Sequence, residues 1–149
     1  MKLYLGSDHR GFELKQVLKE HLTNQNITLE DLGDNNATPG DDYPDFAQAV
    51  AEKVTQEPES RGLLLCGSGV GMDIAANKVD GARCGLALNT EQVKSARADD
   101  NINILAIAAD YTAVDLAKEY VDIFLQTNYV SSESHDRRLD KISEEEHAN

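Results

Sequence analysis

The sequence predicts an α/β fold: one domain, 1–149, with a five-stranded parallel sheet, helices on both faces and an added C-terminal helix. Three observations predict it. Short apolar runs alternate with segments of helical period. One of them, Gly62–Cys66, is continuously apolar, as a strand of a parallel sheet buried on both faces requires. The length, 149 residues, matches one domain of about 150, and no linker, repeat or low-complexity segment interrupts it. A chain of this size buries about 70% of its extended surface without staples.

Each element has a local reason. Lys2–Gly6 reads as the first strand, and Leu14, Val17, Leu18 and Leu22 recur at helical spacing over Phe12–Thr23. Ile27–Leu32 is a second strand stopped by Gly33, and residues 34–42 form a polar loop with Pro and Gly. Pro44 suits the first turn of a helix whose buried face is Phe46, Val50, Ala51 and Val54. Gly62–Cys66 is the third strand, Gly71–Lys78 a short helix, Ala82–Leu88 the fourth strand, Thr90–Asp99 a helix and Ile102–Ala108 the fifth strand. Thr112-Ala-Val-Asp115 resembles a capping box with Asp in place of Glu. The helix it opens runs to Gln126 with Val114, Ala117, Val121 and Leu125 inward. A last helix holds Arg137, Arg138, Leu139 and Ile142, and an acidic tail begins at Glu144–Glu146.

The composition excludes several function classes. Lys plus Arg is 14 against 27 Asp plus Glu, a net charge of −13. Nucleic acid and anionic membrane surfaces reward basic patches, so neither is an expected partner. No apolar run approaches the ~20 residues of a spanning helix, and the N-terminus reads as a strand rather than an export signal. Two cysteines, Cys66 and Cys84, make no disulfide framework. A cytoplasmic, reducing setting is expected.

Ligands of open α/β sheets sit beyond the carboxyl ends of the strands. There the chain carries Ser7-Asp8-His9-Arg10, Asp41-Asp42-Tyr43, Cys66-Gly67-Ser68-Gly69-Val70-Gly71, Asn89-Thr90 and Asp110. Three readings fit the Gly-rich loop: a tight strand–helix turn, a dinucleotide loop, and an oxyanion cradle of free N–H groups. The dinucleotide reading suffers from G-x-G-x-G spacing, from its place after the third strand, and from the absence of a carboxylate about 20 residues on. Cys66 begins the loop. A thiol beside a helix N-terminus holds its thiolate form more readily, and a thiolate can act as a general base without a His partner. Cys84, inside a strand, reads as a small buried hydrophobe. The four histidines show no metal-ligand spacing, so no metal and no cofactor is expected.

These residues resemble the family of ribose-5-phosphate isomerase B and the galactose-6-phosphate isomerase subunits. The resemblance covers essentially the whole chain. It rests on Gly6-Ser-Asp-His-Arg-Gly-Phe-Glu-Leu-Lys15, Asp42-Tyr-Pro-Asp-Phe46, Leu65-Cys-Gly-Ser-Gly-Val-Gly-Met72, Ile74-Ala-Ala-Asn-Lys78, Gly81-Ala-Arg83 and His135-Asp-Arg-Arg138. It implies a Rossmann-like sandwich and metal-free aldose–ketose isomerisation of a sugar phosphate through an enediol(ate). It also implies a homodimer or homotetramer with sites shared between subunits. On this basis Cys66 moves the proton between C1 and C2, the loop Gly67, Ser68, Gly69, Val70 and Gly71 holds the oxyanion, and Ser68 contacts substrate oxygens. Asp8, His9 and Tyr43 line the sugar site, and His135 and Arg138 help hold the phosphate. The substrate it implies is ribose 5-phosphate. Rival readings are another tetrose, pentose or hexose phosphate, a non-catalytic phosphosugar-binding subunit, and a flavodoxin-like module.

The chain departs from that pattern in places. Asp99 stands where many members carry the His associated with ring opening; a carboxylate can take a hydroxyl proton but cannot act as a cation. Asp100 replaces an Asn often used for substrate contact. Asp110 replaces a phosphate-binding Arg and is expected to turn away and cap the next helix. Ser134 stands where another such Arg can occur. Arg10 occupies a position where Ala is common, and is expected to replace the missing cation for the phosphate. Some members use a Glu as base at the position of Met72, which cannot titrate, leaving Cys66.

Overall fold

The computed structural model describes residues 1–148. Five strands, β1 (Lys2–Ser7), β2 (Thr28–Asp31), β3 (Arg61–Cys66), β4 (Cys84–Leu86) and β5 (Ile104–Ala108), form one sheet in the order β2-β1-β3-β5-β4. Every pairing is parallel. Six helices intervene or follow: α1 (Phe12–Thr23), α2 (Tyr43–Gln56), α3 (Val70–Ala76), α4 (Thr90–Asp100), α5 (Val114–Gln126) and α6 (Glu133–His147).

Strand side chains alternate between faces, so each run fills two cores. Leu3, Leu5, Leu63, Leu65, Leu105 and Ile107 point to one face and pack with α1, α4 and α5. Tyr4, Leu64, Cys66, Ile104 and Ala106 point to the other and meet α2 and α3. Lys15 of α1 is fully buried and donates to the Asp31 carboxylate at 2.7 Å and to Asp34 O at 2.6 Å. It ties α1 to the end of β2, from which the loop to α2 departs.

Four local expectations are corrected. No Thr112 cap forms: the N-cap of α5 is Ala113, without a side-chain bond. The helix buries Ala117, Tyr120, Val121 and Phe124, while Val114 is exposed and Leu125 half-buried, because the first turn projects past the sheet. In α2 the buried stripe is Ala47, Val50, Ala51 and Val54, and Phe46 is half-buried at its margin. Glu144–Glu146 is not a tail but the last turns of α6, with Glu146 accepting from the Gly81 N–H at 3.1 Å. No residue of α6 is buried.

Candidate active site

The carboxyl edge of the sheet builds a cavity of about 260 Å³ between the ends of β1 and β3 and the start of α3. Eight of the fourteen site residues expected from sequence line it: Asp8, Arg10, Tyr43, Cys66, Gly67, Ser68, Val70 and Gly71. Ile74, one turn into α3, lines it as well.

Cys66 is the last residue of β3, and its side chain is nearly buried. The Gly69 N–H donates to Cys66 Sγ at 3.2 Å. Such a bond strengthens as the sulfur becomes anionic. Gly69 can aim it because its φ of +73° is left-handed, a conformation that strains a side-chain-bearing residue. The Val70 N–H donates to Ser68 Oγ at 3.3 Å, which points the hydroxyl back over its own loop. The bare Gly71 lets the Tyr43 ring close the wall: a Cβ there would fall 2.6 Å from the ring. Cys84 is set apart; burial, with Asp73 beside it, pushes its thiol well up, so it stays neutral.

The loop after β1 is fixed by carboxylates. Asp8 Oδ1 accepts the N–H groups of Arg10 and Gly11, each at 3.0 Å, and so caps the start of α1 while lining the cavity. His9 lies behind the wall, its Nδ1 2.6 Å from Asp41 Oδ1, and its backbone N–H donates to the same oxygen at 3.1 Å. That bond raises the His9 pKa. Asp41 Oδ2 is buried without a hydrogen-bond partner. Ligand atoms of Asp8, His9 and Asp41 lie within 4.8 Å of one another, so these three are the residues that could hold a cation. Asp8 Oδ1 and the His9–Asp41 pair are already hydrogen-bonded within the protein.

Asp110 does not cap α5. It takes an ion pair from Arg10 Nη2 on the side of Arg10 away from the cavity, where both line a neighbouring one. Both side chains are substantially exposed.

Of the other expected residues, Asp99 and His135 come together away from this cavity, and Asp100 and Arg138 lie on the same two helices. Helix α4 starts at the carboxyl edge of β4 and runs back for about 16 Å, so Asp99 and Asp100 sit near the amino edge of the sheet. The Val130 N–H donates to Ala98 O at 2.9 Å, which brings the start of α6 beside them. His135 Nδ1 donates to Val130 O at 2.8 Å, and its Nε2 lies 3.9 Å from Asp99 Oδ1. Asp100 lines a separate groove of about 730 Å³ with Lys78, Arg83 and Ile142. Arg138 is exposed on α6. One chain therefore does not join Asp99, Asp100, His135 and Arg138 to Cys66. The sequence places Asp41 at this sheet edge but assigns it no role; the structure shows it as the partner of His9.

A family model described as Ribose/Galactose Isomerase matches residues 3–142. Ribose-5-phosphate isomerase B of Mycolicibacterium paratuberculosis is 42% identical over 146 residues, 98% of this chain and 92% of the relative. The crystal structure of ribose-5-phosphate isomerase B from Mycoplasma genitalium with bound ribulose-5-phosphate superposes with a TM-score of 0.95 at 38% identity, covering 99% of this chain and 97% of that one. The type B enzyme of Trypanosoma cruzi also gives 0.95, at 34% identity and full coverage of both chains. Motif order, sheet topology and whole-length similarity agree: the chain belongs to the ribose/galactose isomerase family, among its ribose-5-phosphate isomerase B members, and is a sugar-phosphate isomerase.

Proposed function

We propose that the chain interconverts ribose 5-phosphate and ribulose 5-phosphate through an enediolate, with Cys66 as the base. The observation that carries this is the Cys66 sulfur beside the cavity, held by the Gly69 N–H and flanked by Ser68, Asp8 and Tyr43. The Cys66 thiolate takes the C2 proton of the open-chain aldose. Electrons move into the C1–C2 bond and charge develops on O1, which the 67–71 loop and Ser68 face. The proton returns from sulfur to C1 as the O2 proton passes to O1, giving the ketose. A positioned base contributes about 10²–10⁴ in rate, and one oxyanion donor about 3–4 kcal/mol. Asp8 and Tyr43 hold the sugar chain, and His9 acts from behind Asp8.

The working unit in this reading is a homodimer or a larger assembly. His135 and Arg138 hold the phosphate, and Asp99 and Asp100 meet the sugar ring, in a site whose Cys66 belongs to another subunit. Exposed apolar side chains at the cavity rim, Tyr43, Val70 and Ile74, and the wholly unburied α6 support such a contact. No helix among the described residues is long and apolar enough to cross a membrane. The free thiols of Cys66 and Cys84 fit a cytoplasmic setting.

Proton NMR of the protein with ribose 5-phosphate and excess chelator, beside Cys66→Ala, tests the reading. Ketose with the native chain alone supports it. Equal ketose from both removes Cys66 as base. The Arg10–Asp110 pair puts a neutralised cation in the cavity wall and favours one alternative, a sugar phosphate of another length; a tetrose and hexose phosphate panel decides between them. Absence of turnover on the whole panel leaves a phosphosugar-binding subunit.

A further inference from the structure

Arg10 and Asp110 are 100 residues apart in sequence, yet both are fastened to the loop that carries the base. The Arg10 backbone is fixed by Asp8 Oδ1 at 3.0 Å. Its side chain crosses from the end of β1 to the end of β3 and lies flat against Gly67: a Cβ on Gly67 would fall 2.1 Å from Arg10 Cζ and 2.3 Å from Nε. Only glycine leaves room for the guanidinium there. Asp110 is fixed to the same residue from the far side, its N–H donating to Gly67 O at 3.0 Å, while its carboxylate takes the Arg10 ion pair. Loops after β1, β3 and β5 thus close around one peptide, and Cys66 is its neighbour.

Exposed ion pairs contribute little to stability. A role in folding does not account for a cation laid on this loop. Arg10 lines the Cys66 cavity on one side and, on the other, a cavity of about 310 Å³ shared with Glu13, Asp110 and Thr112. The charged or titratable groups that share its two cavities are Asp110, Asp8, Cys66, Tyr43 and Glu13. Asp110 holds the guanidinium in its charged form, with smaller support from Asp8 and Cys66.

We propose that Arg10 is a catalytic residue that stabilises the negative charge developing on the enediolate oxygens beside Cys66, rather than a phosphate ligand, and that Asp110 is the positioning residue that holds its guanidinium over Gly67. The inference rests on the proposed isomerisation for its kinetic part. A fork of N–H donors fixed next to the base meets charge that exists on the substrate only during proton transfer. Its loss therefore falls on kcat, not on KM. Asp110 trades some of the net positive charge for a fixed direction.

Two measurements test it. The first needs no substrate reading: the rate of Cys66 alkylation by iodoacetate divided by that by iodoacetamide, followed by mass of the Cys66 peptide. Both reagents need the same thiolate, so the ratio reports the local charge met at the sulfur, and its change in a variant reports what the altered group contributed. Arg10→Ala is expected to lower the ratio about tenfold. Asp110→Asn is expected to lower it as well, although that substitution removes a negative charge. A ratio that rises in Asp110→Asn would show Asp110 masking the cation rather than placing it, and a ratio unchanged in Arg10→Ala would remove Arg10 from the sulfur; either overturns the proposal.

The second is steady-state kinetics on ribose 5-phosphate. Arg10→Ala is expected to lower kcat by about 10²-fold with KM within about twofold. Asp110→Asn should lower kcat less, and the double variant should match Arg10→Ala alone. A raised KM with intact kcat puts the cation on the phosphate and overturns the assignment. Should the native protein fail to turn over ribose 5-phosphate, the isomerisation reading falls, while the alkylation ratio still decides where Arg10 acts.

Discussion

The Cys66 cavity and the Asp99–His135 cluster are built by opposite means. The cavity stands on strand ends. Cys66 is fixed by β3, whose neighbours Leu63, Leu64 and Leu65 are buried, and Asp8 is 5% exposed. Its donors and acceptors are aligned within one chain. The second cluster stands on the end of α4 and the start of α6, a helix with no buried residue. The Asp99 side chain is 52% exposed, and its contact with His135, at 3.9 Å, is longer than a hydrogen bond. The sheet presets the reacting end of the site. In the proposed reading, the cations for the phosphate stand on this exposed surface and a second subunit completes it. One active site would then join a rigid half and a half made useful by assembly.

The largest expected effect would break that comparison outright if absent. Cys66→Ala should lower kcat by about 10²–10⁴-fold while the sugar phosphate still binds, as calorimetry can check. Next comes the rigidity of the first region. Lys15→Met removes the buried partner of Asp31 and of the Asp34 carbonyl. It should cost about 1–3 kcal/mol in urea unfolding, because the Asp34 carbonyl loses its buried donor while Asp31 keeps Lys19 at 2.8 Å and the Gly33 N–H at 3.0 Å. A further effect sharpens the second region. Arg138→Ala should raise KM for ribose 5-phosphate about 10- to 100-fold, the worth of one charge-assisted bond, with kcat little changed.

The smallest effect is a pH dependence confined to the first region. The His9 pKa is raised by its bond to Asp41. The stabilisation is therefore full below the ordinary His value of about 6.5 and is lost as pH rises through the raised one. His9 is 34% exposed, so screening keeps the effect small. The stability difference between the native chain and Asp41→Asn should shrink from about pH 6 to about pH 8. A difference that grows over that window contradicts the pairing.

The centre of the sheet was legible because β3 and β5 are buried on both faces, and that writes itself into Leu63–Leu65 and Ile104–Ile107 as unbroken apolar runs. The inward face of α5 was misjudged for a local reason. Val114 and Leu125 extend the same apolar stripe as Ala117 and Val121, and only the position of the helix against the sheet selects Tyr120 and Phe124. The Cys66 loop was legible because its residues are contiguous. The ties that give Arg10 and His9 their places were not, because their partners Asp110 and Asp41 lie 100 and 32 residues away. Periodicity carries no information at that range. Nor could sequence show that α4 carries Asp99 to the far edge of the sheet, since that follows from the direction of the helix.

Active-site complementation tests the shared-site account most directly. Cys66→Ala chains, inactive alone, and His135→Ala chains, weakened in phosphate binding and assayed at a ribose 5-phosphate concentration too low for them to turn over appreciably alone, would be co-expressed with different tags and purified as mixed assemblies. If the cavity of one subunit works with His135 of the partner subunit, each mixed dimer regains one intact site. Activity should then return to about half that of the native protein, as independent defects in separate halves require. Mixed assemblies that stay as inactive as their parents would place both residues in one chain's site and contradict the account.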